Sequence, residues 1–174
     1  MKLDRGLVHV YTGNGKGKTT AAIGLGIRAT GENLKVYMIQ FMKGRRYSEI
    51  DAIEKINNFS VIQFGRDEFV NKKNPEQIDI DLARKGFEHA KEILLKNKYD
   101  VVILDEINVA IDYNLVPLDE VIKLIENKPK NIELILTGRY ANPQIIMRAD
   151  LVSEILEIKH PYHNGVQSRK GIDW

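Results

Sequence analysis

The sequence predicts an α/β fold: a mostly parallel central sheet of about six strands flanked by helices. Three observations predict it. Short apolar runs alternate along the chain with stretches of helical period, the pattern that gives parallel strands and right-handed crossovers. One early strand runs through a glycine-studded turn into a small-residue helix, and a later apolar strand ends in Asp105-Glu106. The last two together mark a P-loop nucleotide-binding scaffold.

Residues 7–11 read as the first strand, followed by Thr12-Gly-Asn-Gly-Lys-Gly-Lys-Thr-Thr20. Gly13, Gly15 and Gly17 alternate with Asn14, Lys16 and Lys18, so backbone N–H groups can converge on one point without obstruction by Cβ atoms. The helix opening near Lys18 adds the partial positive charge of its N-terminus, and Lys18 adds a full one. Thr19 stands where the P-loop pattern has a hydroxyl for a magnesium ion, and Thr20 follows it. Thr12 replaces the first glycine of the strict pattern. The stretch is a triphosphate cradle.

Gly31 is placed as the stop of the first helix. Residues 35–42 form a second strand, nearly all apolar as a strand covered on both faces should be. Lys43, Arg45 and Arg46 follow at its carboxyl end, where open α/β sheets bind ligands; they either reach a phosphate chain or form a solvated basic turn. Ser48 caps a short helix to about Asn57. Residues 59–64 are a third strand, and 65–74 are polar and irregular, with one aromatic, Phe69. Pro75 opens the longest helix, to about Lys98. Its buried face is Ile78, Leu82, Ala83, Phe87, Ala90, Ile93 and Leu94, with His89 beside the stripe.

Residues 99–106 make a buried strand that delivers Asp105 and Glu106 to its carboxyl end. An apolar strand ending in acids is the Walker B pattern, which holds magnesium directly or through water. Pro117 starts an amphipathic helix that ends by Lys128-Pro129. Residues 131–137 form a fifth strand, and Gly138-Arg139-Tyr140 aims Arg139 at the same rim as Lys18 and Asp105. Asn142-Pro143 caps and starts a short helix to Ala149. The last strand is expected at 154–159. The tail beyond it either folds back over the active edge or ends as a fraying terminus. His160 and His163 lack a third ligand nearby in sequence.

The 174 residues suit one domain spanning 1–174. A formal net charge of +2 announces no broad nucleic-acid footprint. The lack of cysteine removes disulfides, thiolate catalysis and cysteine-ligated zinc, and fits a reducing compartment. With no signal peptide and no apolar run near the length of a membrane span, the expected location is cytoplasmic, without membrane insertion.

The glycine loop, Gln40-Phe-Met-Lys-Gly44, Val102-Ile-Leu-Asp-Glu106, Leu136-Thr-Gly-Arg139 and the ending Gly171-Ile-Asp-Trp174 resemble the ATP:corrinoid adenosyltransferases, the cob(I)alamin adenosyltransferases of cobalamin synthesis and salvage. The likeness runs in order along nearly the whole chain. It implies a RecA-like P-loop NTPase fold and a homodimer. It also implies transfer of the 5′-deoxyadenosyl group of ATP to the Co(I) of cob(I)alamin or a precursor corrinoid, with release of triphosphate. The co-substrate is then ATP, the metal Mg2+ or Mn2+, and an electron-donating reductase the expected partner. Lys18 and Glu106 are the expected catalytic residues. Gly13, Asn14, Gly15, Lys16, Gly17, Lys18, Thr19, Thr20 and Arg139 are expected to bind ATP, and Thr19, Asp105 and Glu106 the metal. The nucleotide is expected to lie in the loop in the reverse sense to ordinary ATPases. Phe69 and Phe41 are the candidates to face the corrinoid. The family sets Phe and Trp after the third strand to shield the corrinoid's lower face; here that segment keeps only Phe69. The family's N-terminal extension is nearly absent here, so closure of the site is expected from elsewhere.

Two other readings use the same scaffold. A P-loop ATPase or small-molecule kinase would share the cradle, although a kinase wants an arginine-bearing lid where this chain has a long amphipathic helix. A non-catalytic module that binds ATP or a corrinoid would show no turnover.

Overall fold

The computed structural model describes residues 3–173. Trp174, the last residue of the Gly-Ile-Asp-Trp ending, lies outside the described residues. The elements run β1 (Val8–Thr12), α1 (Lys18–Gly31), β2 (Val36–Phe41), α2 (Ser48–Ile53), β3 (Phe59–Phe64), α3 (Gln77–Lys96), β4 (Val101–Asp105), α4 (Ile107–Asp112), α5 (Leu118–Asn127), β5 (Glu133–Thr137), α6 (Pro143–Ile146) and β6 (Leu151–Glu154). A short 3-10 helix, Pro161–Asn164, interrupts the tail. All six strands lie in one sheet in the order β3-β2-β4-β5-β1-β6, and every pairing is parallel.

Successive side chains of a strand point to opposite faces, and the central strands of this sheet are covered on both, while the edge strand β6 is exposed. On β4, Val102 and Leu104 join the core built with Ala83, Phe87 and Ala90 of α3 and Ala110 of α4. Val101 and Ile103 face the other way, into the core shared with Ala22 and Ala29 of α1. The same alternation splits β2 into Ile39 and Phe41 on the α3 side and Val36 and Met38 on the α1 side. A strand buried on both faces holds a polar residue only where partners satisfy it, hence the apolar runs that lead to Gln40 in β2 and Asp105 in β4.

Several boundaries move from those expected. The last strand is Leu151–Glu154, not 154–159. Its register against His9–Thr12 ends at Glu154, after which the chain turns to cross the glycine loop. The longest helix begins at Gln77 rather than Pro75, because Glu76 and Asp79 form a capping box. Asp79 is therefore buried and Ile78 exposed, against the expected apolar face, and Leu82 is only half-buried. Tyr47 caps α2, so Ser48 is its first helical residue, and the helix ends at Ile53. Gly31 is the last residue of α1, but the left-handed turn after it falls on Asn33. Pro117 caps α5 instead of lying within it. Helix α6 stops at Ile146, though Asn142 caps it as expected by accepting from the Gln144 N–H. The short helix α4 has no counterpart in the sequence reading; six residues give too little periodicity to detect. His89 is half-buried and shares a 2.8 Å hydrogen bond with the Tyr37 hydroxyl.

Phe87 is 2 % exposed at the centre of the α3 core. Phe87→Ala should lower the free energy of unfolding by about 3–5 kcal/mol, read from the urea midpoint at unchanged slope.

Candidate functional site

The carboxyl rim of the sheet carries the polar residues that the strand interiors exclude. Gln40 of β2 pairs in register with Asp105 of β4, and Leu104 of β4 pairs with Leu136 of β5. Asp105 and Thr137 are the next residues along β4 and β5 and end those strands, so with Gln40, one residue before the end of β2, they lie side by side on the face toward α1. Thr19, in the first turn of α1, meets them.

Asp105 is fully buried, and four donors surround its carboxylate. The hydroxyls of Thr19 and Thr137 donate to Oδ1 at 2.8 and 2.7 Å. Lys43 and Gln40 donate to Oδ2 at 2.8 and 3.1 Å. Burial alone would raise this carboxyl, but the Lys43 ammonium and the two hydroxyls outweigh it and hold the group below the usual carboxylate range. Burial would lower Lys43; Asp105, with Glu106, keeps its ammonium above the ordinary value instead. Of the three cations after β2, only Lys43 serves the site. Arg46 pairs with Asp51 and Glu54 of the neighbouring helical segment, and Arg45 is exposed.

Glu106 differs in every respect. Its backbone is left-handed, φ 62°, which turns the chain from β4 into α4 and leaves its N–H donating to Thr137 Oγ1 at 3.0 Å. Its side chain takes no hydrogen bond from the described residues. Burial, and then the neighbouring Asp105 charge, push its carboxyl above the ordinary value, although Lys43, Lys18 and Arg139 pull the other way. Two adjacent carboxylates thus have opposite shifts: one is saturated with donors, and the other takes none from the described residues.

The glycine loop curls over these acids. Gly17 has φ 123°, a conformation that excludes other residues, and delivers the chain into α1. Lys18 is 7 % exposed, and its ammonium donates to the Gly15 carbonyl at 2.7 Å. Burial, and more weakly Arg139, lower it from its ordinary value, while Glu106 and Asp105 oppose them. Asn14, Lys16 and Thr20 are exposed along the loop, and Gly13 and Gly15 are buried against the chain that leaves β6. The Gly15 N–H donates to the Ile155 carbonyl at 2.8 Å. A Cβ on Gly15 would lie 2.6 Å from the Leu156 carbonyl oxygen, so the crossing segment, as well as the cradle, requires glycine. The tail then returns: Lys16 donates to the Ile172 carbonyl at 2.8 Å and pairs with the Asp173 carboxylate. Of the two fates open to the tail, the structure takes the first.

The two aromatic candidates separate. Phe41 is 0 % exposed and belongs to the α3 core, so it cannot face a ligand; Phe69 is 97 % exposed. Sequence reading missed Gln40 and Thr137. A polar residue inside the apolar run of β2, and a hydroxyl at the end of β5, were the available signals.

The family model for ATP:corrinoid adenosyltransferase BtuR/CobO/CobP matches residues 4–174. The corrinoid adenosyltransferase of Escherichia coli (strain K12) is 37% identical over 177 residues, covering 98% of this chain and 87% of that protein. That of Salmonella typhimurium is 36% identical, with the same coverage of both chains. That of Pseudomonas aeruginosa is 32% identical, covering 98% and 85%. Among solved structures, the genome packaging NTPase B204 from Sulfolobus turreted icosahedral virus 2, in complex with ATP-gammaS, superposes with a TM-score of 0.52 at 19% identity. It covers 90% of this chain and 77% of that one, and supports the P-loop NTPase fold.

The opposite shifts of the two acids predict opposite mutational effects. A carboxyl raised on folding, as at Glu106, stabilises the fold below its unfolded value of 4.5 and loses that contribution as pH rises through the folded value. Glu106→Gln should therefore raise the melting temperature at pH 7, by about 2–4 °C per kcal/mol gained, and the gain should vanish in acid. Asp105→Asn should do the reverse at pH 7, costing about 1–3 kcal/mol because the half-buried Lys43 ammonium loses its charged partner. Thermal denaturation across pH checks both.

Proposed function

The chain belongs to the ATP:corrinoid adenosyltransferase family, and on that premise we propose how its residues move the 5′-deoxyadenosyl group of ATP onto the Co(I) of a corrinoid. In this transfer the cobalt lone pair attacks C5′, the cobalt–carbon bond forms, and the bond from C5′ to oxygen breaks with its electron pair leaving on triphosphate. Negative charge grows at the α-phosphate end of the leaving group. What is needed there is a set of fixed donors and cations.

Residues 13–17 form the loop that would receive the triphosphate, through the backbone N–H groups of Gly13, Asn14, Lys16 and Gly17; that of Gly15 is held by the Ile155 carbonyl. Lys18 leaves the Gly15 carbonyl to meet it, with Thr20 and Arg139 at the edges. The family implies Mg2+ or Mn2+, and the donors present fit a hard cation, since they are oxygens of a hydroxyl and a carboxylate. Glu106 and the Thr19 hydroxyl would hold it. When bound, the ion supplies charge neutralisation to the departing triphosphate. Of the two ways open to Asp105, direct or through water, the donors on both its oxygens favour an indirect part: it aims Thr19 by accepting that hydroxyl's hydrogen bond. The observation that carries this reading is the half-buried Glu106 carboxylate, which takes no hydrogen bond from the described residues and lies in the field of Lys18, beside the donor-saturated Asp105.

Phe69 is the aromatic that would cover the corrinoid face. A reductase is needed because Co(I) must be generated and kept; the lack of cysteine agrees with a reducing, cytoplasmic setting. Among the described residues no helix is long and apolar enough to cross a membrane. A homodimer is the assembly that the family suggests.

The test mixes ATP with pre-reduced corrinoid and follows the spectral change on formation of the cobalt–carbon bond, with triphosphate counted in parallel. ADP and phosphate as products would favour an ATPase or kinase. Lys18→Ala should lower the rate by at least about 10²-fold; near-normal triphosphate release would refute the cradle. Phe69→Ala should impair use of Co(II) corrinoid under a weak reductant more than use of pre-reduced Co(I), and equal impairment would reject the shielding role.

A further inference from the structure

Phe69 is exposed, yet the segment that carries it is tied down on both sides. Three residues before it, the Arg66 guanidinium makes paired hydrogen bonds to Asp79, at 2.8 and 3.0 Å, and to Glu76, at 2.8 and 3.1 Å, at the start of α3. Just after it, Val70 packs against the α3 core. Gly65 lies so close under the Met42–Lys43 backbone that a Cβ there would be 2.3 Å from the Lys43 nitrogen. An aromatic ring on a slack loop has no need of such fastening.

Three residues beyond Phe69, the Lys72 ammonium is bound to Asp112 at 2.6 Å. It also lies over the rings of Tyr113 and Tyr140, at 5.5 and 5.3 Å from their centres, within the range of cation–π attraction. Tyr140 follows Arg139 and holds a left-handed backbone, φ 60°, which a bulky residue adopts only where its surroundings require it. Lys72 therefore links the Phe69 segment to the end of α4 and to the turn after β5.

We propose that Lys72 is a positioning residue for corrinoid use: seated on Tyr113, Tyr140 and Asp112, it fixes the Phe69 segment relative to the turn that bears Arg139. The distance between the aromatic cover and the nucleotide side of the site is thereby set before either substrate arrives. The proposal rests on the reading of Phe69 as that cover. Arginine suits the same seat, because a guanidinium stacks on phenol rings and pairs with a carboxylate.

The test compares Lys72→Ala, Lys72→Arg and Phe69→Ala. Lys72→Ala should raise the KM for corrinoid by about tenfold, the order expected for one exposed ion pair and two cation–π contacts, and leave the KM for ATP in place. In the substrate-free chain it should also speed amide hydrogen exchange across residues 67–71. Lys72→Arg should restore both. Unchanged corrinoid KM in Lys72→Ala, or an equal rise in both KM values with a lowered melting temperature, would overturn the proposal. If Phe69→Ala leaves corrinoid use intact while Lys72→Ala impairs it, the reading of Phe69 fails and the tether stands; the converse removes the tether and keeps the cover.

Discussion

A wholly buried negative charge at the end of β4 is the constraint around which this molecule is arranged. An ionised carboxylate out of reach of water is tolerated only when its oxygens are filled by donors. Asp105 obtains four, and each comes from a different piece of chain: α1, β2, the turn after β2, and β5. The order β2-β4-β5 puts Asp105 between two strands that can both reach it. Satisfying one carboxylate therefore locks the glycine loop's helix to the sheet, and it fixes where Thr19 points.

The neighbouring acid gains its character from the same arrangement. Alternation along a strand would send Glu106 to the opposite face, but the left-handed turn at that residue ends β4 and keeps the side chain at the rim. There it shares the field of Lys18, Lys43 and Arg139 and takes no hydrogen bond from the described residues. Asp105 and Glu106 are chemically similar and adjacent, and environment alone divides them into a donor-saturated anchor and a carboxylate raised above its ordinary value.

Loops complete the rim from two directions. The chain leaving β6 lies across Gly13 and Gly15 by backbone contact, and the end of the tail returns to Lys16. On the far side the Phe69 segment is fastened to α3 and α4 through Arg66 and Lys72. The glycine loop is thus packed on its outer surface as well as bounded below, which limits the shapes it can take.

The sequence by itself determined the strand-and-helix alternation, the phosphate cradle, the acidic strand end and the family, because each is written in local patterns: apolar period, glycine spacing, and a charge pair after a buried run. It also singled out Phe69 by leaving one aromatic in a polar segment. Tertiary structure decided the rest. Only strand register could bring Gln40 and Thr137 onto Asp105 from positions 65 and 32 residues away, and only packing could remove Phe41 from the surface. The course of the tail, the end of β6 at Glu154 and the seat of Lys72 likewise depend on contacts between distant segments, which no local period encodes.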